Sequence, residues 1–226
     1  MNTRILLASL LITASAGTVT YSQDLVMKSF PAGVCYAGND VNRIYIPPPK
    51  AFFENADKKG GAQINVSYSD APASVRTAVD YATSILERLL PDDVVINVFV
   101  YWRAINTAGV LANASVTGYA GGWAIDALNP LAYYPVTVAE KIFRGNLNAP
   151  SDPDVVLNIN SSVDWYQGID GNTPSSQYDL VTVVIHELCH GLGYLDSFNT
   201  EGVVGYYGAE GVPMIYDKFI ENFSNE

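Results

Sequence analysis

Apolar residues fall at Val75, Ala78, Val79, Ala82, Ile85, Leu86 and Leu89. This three-and-four spacing lays a stripe along one side of a helix. Pro91 ends that helix, and Asp70 or Ser74 stands where a cap for its first turn belongs. On both sides the period drops to two. Residues 62–69 (AQINVSYS) alternate as a half-buried strand does, and 94–104 (VVINVFVYWRA) are apolar enough for the centre of a sheet. Strand, long helix, strand predicts a parallel pair joined by a right-handed crossover.

Further along, residues 106–135 are rich in Gly, Ala and aromatics, with turn signals at Gly121-Gly122 and Asn129-Pro130, and predict short strands and loops. A short helix is expected over 136–144 and a strand over 153–160 (PDVVLNIN). Residues 164–179 read as a loop closed by Asp179, a good N-cap for a helix over 180–192. Within 180–192, Val181, Val183, Val184 and Ile185 favour strand locally. The spacing of two histidines, His186 and His190, decides for helix. Residues 197–212 form a glycine-rich connection, and 214–223 can begin a closing helix.

Length and composition set the frame. The 226 residues allow a signal segment and one domain with a sizeable core. Residues 1–16 have a basic start (Arg4), an apolar run too short to span a bilayer and an Ala14-Ser15-Ala16 cleavage pattern, so they read as a secretory signal. Residues 17–59 then form an N-terminal extension or pro-segment, and 60–226 the main domain, which the sequence allows to be truncated at its C-terminus. The expected product is secreted, with no membrane insertion. Net charge is −11, becoming −12 once Arg4 leaves with the signal, which argues against nucleic acid as a partner. The two cysteines, Cys35 and Cys189, permit a disulfide in an exported protein. Two other readings stay open: a Cys35 thiolate at the open position of a metal, although PAGVCYAGND does not match the cysteine-switch pattern, and two buried free thiols.

The chemistry is concentrated in residues 186–196, HELCHGLGYLD. His186 and His190 are four apart, so on a helix they share a face and can aim two imidazoles at one ion. Glu187 lies one step round, where a general base takes a proton from a metal-activated water. Zinc suits this set, since neutral imidazoles bind it and a catalytic site keeps a position for water. Both histidines of the chain are already used, so a third ligand is a carboxylate, a tyrosine or a thiolate. Gly193 can take a positive φ and end the helix sharply, which would let Asp196 swing back to the ion. Asp164, Asp170, Asn172 and Asp179 carry oxygens that could serve Ca2+, but their spacing is not that of an EF-hand, and a solvated loop is the plainer reading.

HExxHxxGxxD resembles the zinc-binding motif of the metzincin metallopeptidases, in the snapalysin-like variant with Asp as third ligand. Pro213-Met214-Ile215-Tyr216 is similar to the Met-turn of that family, and Tyr216 matches the tyrosine that reaches the metal in astacin-like members. Residues 62–219 also resemble a group of secreted bacterial proteins with HExxHGLGF-type motifs, in which the position of Asp196 is not reliably a ligand. The resemblance implies an α+β, metzincin-like zincin domain: a twisted, mostly parallel sheet packed on two long helices, one carrying HExxH. It places the edge strand beside the substrate cleft within 109–119 (GVLANASVTGY). It implies a zinc metalloendopeptidase acting on protein or peptide substrates, with Glu187 and Tyr216 catalytic and His186, His190 and Asp196 on the metal. A thermolysin-like ligand set using Glu210 or Glu201 remains open. So does a surface or adhesion module with a silent metal site, which the 15 tyrosines favour and the presence of Glu187 disfavours.

Overall fold

The computed structural model describes residues 28–37, 47–54, 61–91, 94–125, 127–149, 151–201 and 204–221. The expected signal at 1–16 lies outside them. In chain order the elements begin with strand β1 (Gly33–Tyr36), helix α1 (Lys50–Glu54), β2 (Gln63–Ser69), helix α2 (Ala73–Leu89) and β3 (Val95–Arg103). Then come β4 (Val110–Val116), β5 (Tyr119–Gly121), β6 (Tyr133–Pro135), α3 (Val136–Phe143) and β7 (Val155–Asn160). The short pairs β8 (Trp165–Tyr166) with β9 (Tyr178–Asp179), and β10 (Asn199–Glu201) with β11 (Val204–Tyr206), flank α4 (Leu180–Gly191). A short 3-10 helix at Ile215–Phe219 stands where the sequence predicts the start of a closing helix.

The architecture is mixed α+β around a five-stranded mixed sheet ordered β1-β4-β7-β3-β2. β2, β3 and β7 are parallel neighbours, as the strand–helix–strand pattern requires. β4 runs antiparallel to β7 and β1 antiparallel to β4. β3 shows why one side of the sheet is covered: Ile96, Val98 and Val100 are buried, while Val95 and Tyr101 on the alternate positions are exposed. α2 and α4 pack on each other and share that core with the strands. The stripe read from the sequence is the buried one, with Val75, Ala78, Val79 and Ala82 fully enclosed.

Two local expectations are corrected. Neither Asp70 nor Ser74 caps α2. Its N-cap is Pro72, without a side-chain bond, because Asp70 takes a left-handed φ of 56° and turns the chain ahead of the helix. The strand within 109–119 is β4, but it is not at the sheet edge. β1 (Gly33–Tyr36) occupies the edge beside it.

Candidate metal centre

α4 is a helix in spite of its β-branched run because tertiary burial outweighs local preference. Leu180, Val181, Val183, Val184 and Leu188 all lie in the main core. Asp179 caps its start, its side chain accepting from Thr182 N at 2.7 Å. Gly193, at φ 95°, ends the run, and a Cβ there would come within 2.9 Å of Pro135.

The helix brings His186 and His190 together, with Nε2 atoms 3.1 Å apart. Two nitrogens on one tetrahedral zinc stand about 3.3 Å apart, so the pair is close to the spacing an ion imposes. The Tyr194 carbonyl can only accept a hydrogen bond. His190 Nδ1, 2.8 Å from it, must therefore donate, and a neutral His190 leaves Nε2 bare and aimed at His186. That fixes ring and tautomer in the way a supporting carbonyl does for metal-bound histidines. Burial and the neighbouring His190 both hold the His186 pKa below its ordinary value, favouring the neutral, ligating form.

Glu187 is fully buried, and neither carboxylate oxygen has a hydrogen-bond partner. Burial pushes its pKa up to about 7. The backbone amides of Ala114 and Cys35 are near enough to offset part of that effect, without reaching hydrogen-bond geometry. What buries it includes β1. Period-two alternation turns Gly33 and Cys35 inward and leaves Val34 and Tyr36 exposed. A Cβ on Gly33 would sit 2.6 Å from the His190 ring. Cys35 Sγ, a His186 nitrogen and a Glu187 oxygen all lie within 4.8 Å of one another. Burial, followed by the charge of Glu187, raises the Cys35 pKa as well.

The donor set therefore fits a cation. An imidazole, a carboxylic acid and a thiol lie within 4.8 Å of one another, and burial disfavours the charged form of each. A divalent ion would reverse that balance for the carboxylate and the thiol.

Other residues singled out by the sequence are placed differently. Asp196 is exposed, its carboxylate accepts from Phe198 N at 3.0 Å, and it does not join the cluster around His186. Glu210 pairs with Lys28 at 3.0 Å and is exposed. Met214 is buried against Tyr119 and Tyr133. Tyr216 is half-buried with its ring 5.7 Å from that of Tyr194, the residue whose carbonyl holds His190. Cys35 and Cys189 are free thiols, so the disulfide is not formed; Cys35 faces His186 and Glu187 instead. In the 164–179 loop the carboxylates are taken up by protein donors. Asp170 accepts from Tyr166 and Asn172, Asp164 from Gln177, and Asp179 from Thr173 and Thr182.

Two residues of structural weight carry no signal in the sequence. Asp217 is buried and accepts from Ser197 N and Met214 N, both at 2.8 Å, and from the Ser197 hydroxyl. Ser197 Oγ in turn accepts from Gly208 N at 2.7 Å. Together they tie the segment after α4 to the Met214 turn. No spacing marks them, because the partners are 20 residues apart, Ser197 on the segment after α4 and Asp217 in the short 3-10 helix.

The sequence model of a family described as SPBPB7E8-like matches residues 126–220, a stretch that holds α4 and the Met214 turn but covers less than half of the chain. No curated protein and no solved structure matches.

Proposed function

We propose that this protein is an exported zinc-dependent endopeptidase of metzincin-like type. The observation that supports it best is Glu187: a fully buried carboxyl group with two unpartnered oxygens, beside two imidazoles whose Nε2 atoms are 3.1 Å apart. A structural site has no need of such a group, whereas a general base with a pKa near neutrality is tuned for proton transfer. His186 and His190 hold the ion. Asp196 is exposed and accepts from Phe198 N through Oδ1, and it stands outside the cluster around His186. Bound zinc would polarise the scissile carbonyl and lower the pKa of a water toward ~7.

The residues of the chain do the rest. Glu187 accepts the proton of the attacking water and passes it to the leaving amine. The Tyr194 carbonyl keeps His190 oriented, and Tyr216, whose ring packs on that of Tyr194, is assigned the support of the developing oxyanion. The apolar surroundings of Glu187 exclude competing water. Among the described residues no helix is long and apolar enough to cross a membrane. The test is Glu187→Ala in the full chain: it should retain zinc and fold but lose cleavage of unfolded casein. Cleavage at the parent rate would remove Glu187 from the mechanism. A second reading, a silent metal site in a surface module, draws support from β1 lying over the cluster. It requires that the parent protein itself cleaves nothing.

A further inference from the structure

Strand β1 comes from far outside the HExxH helix in sequence, yet it delivers two residues to it. Gly33 touches His190 so closely that no side chain fits between them. Cys35, two residues on and on the same strand face, brings its sulfur within 4.8 Å of a His186 nitrogen and of Glu187. On one tetrahedral zinc, a thiolate and an imidazole nitrogen stand about 3.6 Å apart. His190 lies outside the 4.8 Å cluster, with its Nε2 3.1 Å from that of His186, so Cys35 Sγ has to move toward His190 for one ion to reach all three. The sulfur is not alone in pointing to an ion, since the unpartnered, fully buried Glu187 carboxyl group faces the same space. Asp196, by contrast, is exposed and bonded to Phe198 N.

We propose that Cys35 is the third protein ligand of the metal held by His186 and His190, so that the ion itself clips strand β1 across the site. This rests on the zinc site proposed for His186 and His190. On binding, the Cys35 S–H bond breaks, its electron pair goes to the metal and its proton goes to solvent. β1 also occupies the edge of β4, where an extended peptide would otherwise add as a strand. Zinc therefore does two things in one place: it completes a His-His-Cys set and fastens the N-terminal strand over it. Access for a peptide substrate requires that Cys35 leave the ion and β1 leave β4.

Cobalt(II) substitution in the full chain tests this, because thiolate ligation gives an intense near-ultraviolet charge-transfer band that nitrogen and oxygen ligands do not. The expected result is that band in the parent protein and in Cys189→Ser, and its loss in Cys35→Ser. Cobalt affinity in Cys35→Ser should fall by roughly tenfold or more, at least the loss seen when a ligand's supporting partner is removed. Visible cobalt bands without charge transfer in the parent, or charge transfer that survives in Cys35→Ser, would overturn the assignment of Cys35 while leaving the histidine site intact. No uptake of cobalt or zinc by the parent would overturn both. Should Cys35→Ser fail to fold, iodoacetamide labelling of the parent decides, with Cys189 as internal standard. Cys35 should be protected by zinc and become reactive on chelation. Equal labelling of Cys35 with and without zinc refutes the proposal.

Discussion

Replacing Glu187 by Gln in the metal-free protein should stabilise it, and by an amount that depends on pH. The side chain is fully buried with no partner, and its pKa stands at about 7 against an ordinary 4.5. In the unfolded chain Glu187 loses its proton near 4.5, but in the folded chain it keeps it until about 7. Between those values the folded state binds more protons than the unfolded state, so stability falls as pH rises, and the fall ends above the folded pKa. At about 1.4 kcal/mol per pKa unit the full cost is about 3 kcal/mol. Gln is neutral throughout and escapes it. Urea denaturation of both proteins in chelator, at about pH 5 and about pH 8, should show the advantage of Glu187→Gln growing by roughly 2–3 kcal/mol across that interval. Restoring zinc should shrink the trend, since the ion's charge favours the carboxylate. An advantage that is constant with pH, or that shrinks as pH rises, would refute the picture of an unpartnered buried acid.

Asp217→Ala should destabilise by roughly 2–4 kcal/mol, because it strips partners from Ser197 N, the Ser197 hydroxyl and Met214 N at a buried point; a thermal melt unchanged from the parent would contradict this. Ser197→Ala should weaken the same tie and lower the melting temperature in the same assay. Asp179→Ala removes the cap of α4 and should cost about 1 kcal/mol in urea denaturation without altering zinc stoichiometry.

The parts of this molecule that can be read from the sequence are those that local periodicity encodes. The stripe from Val75 to Leu86 marks α2 and its buried face, and the alternation in 62–69 and 94–104 marks two parallel strands. α4 is the instructive case. Its valines argue for strand, and only the four-residue spacing of His186 and His190, a requirement of chemistry rather than propensity, argues for helix. The placement of β1 is not legible. Four residues carry too little pattern to name a partner strand, and the pairing of Cys35 with Ala112 joins positions far apart in the chain. The same holds for Asp217, whose three bonds depend on how its short 3-10 helix meets the segment after α4. Asp196 shows how far spacing reaches. Its spacing after Gly193 is right for a ligand, but spacing does not fix where the side chain turns, and a nearby amide, Phe198 N, holds it.

If His186 and His190 bind one metal ion, elemental analysis of the full chain after zinc loading and mild dialysis reads that binding most directly, alongside His186→Ala and His190→Ala. About one zinc per parent chain is expected, with a sharp loss in both variants. A parent protein that retains no zinc after loading, or variants that retain as much as the parent, would contradict a metal centre built on these two histidines.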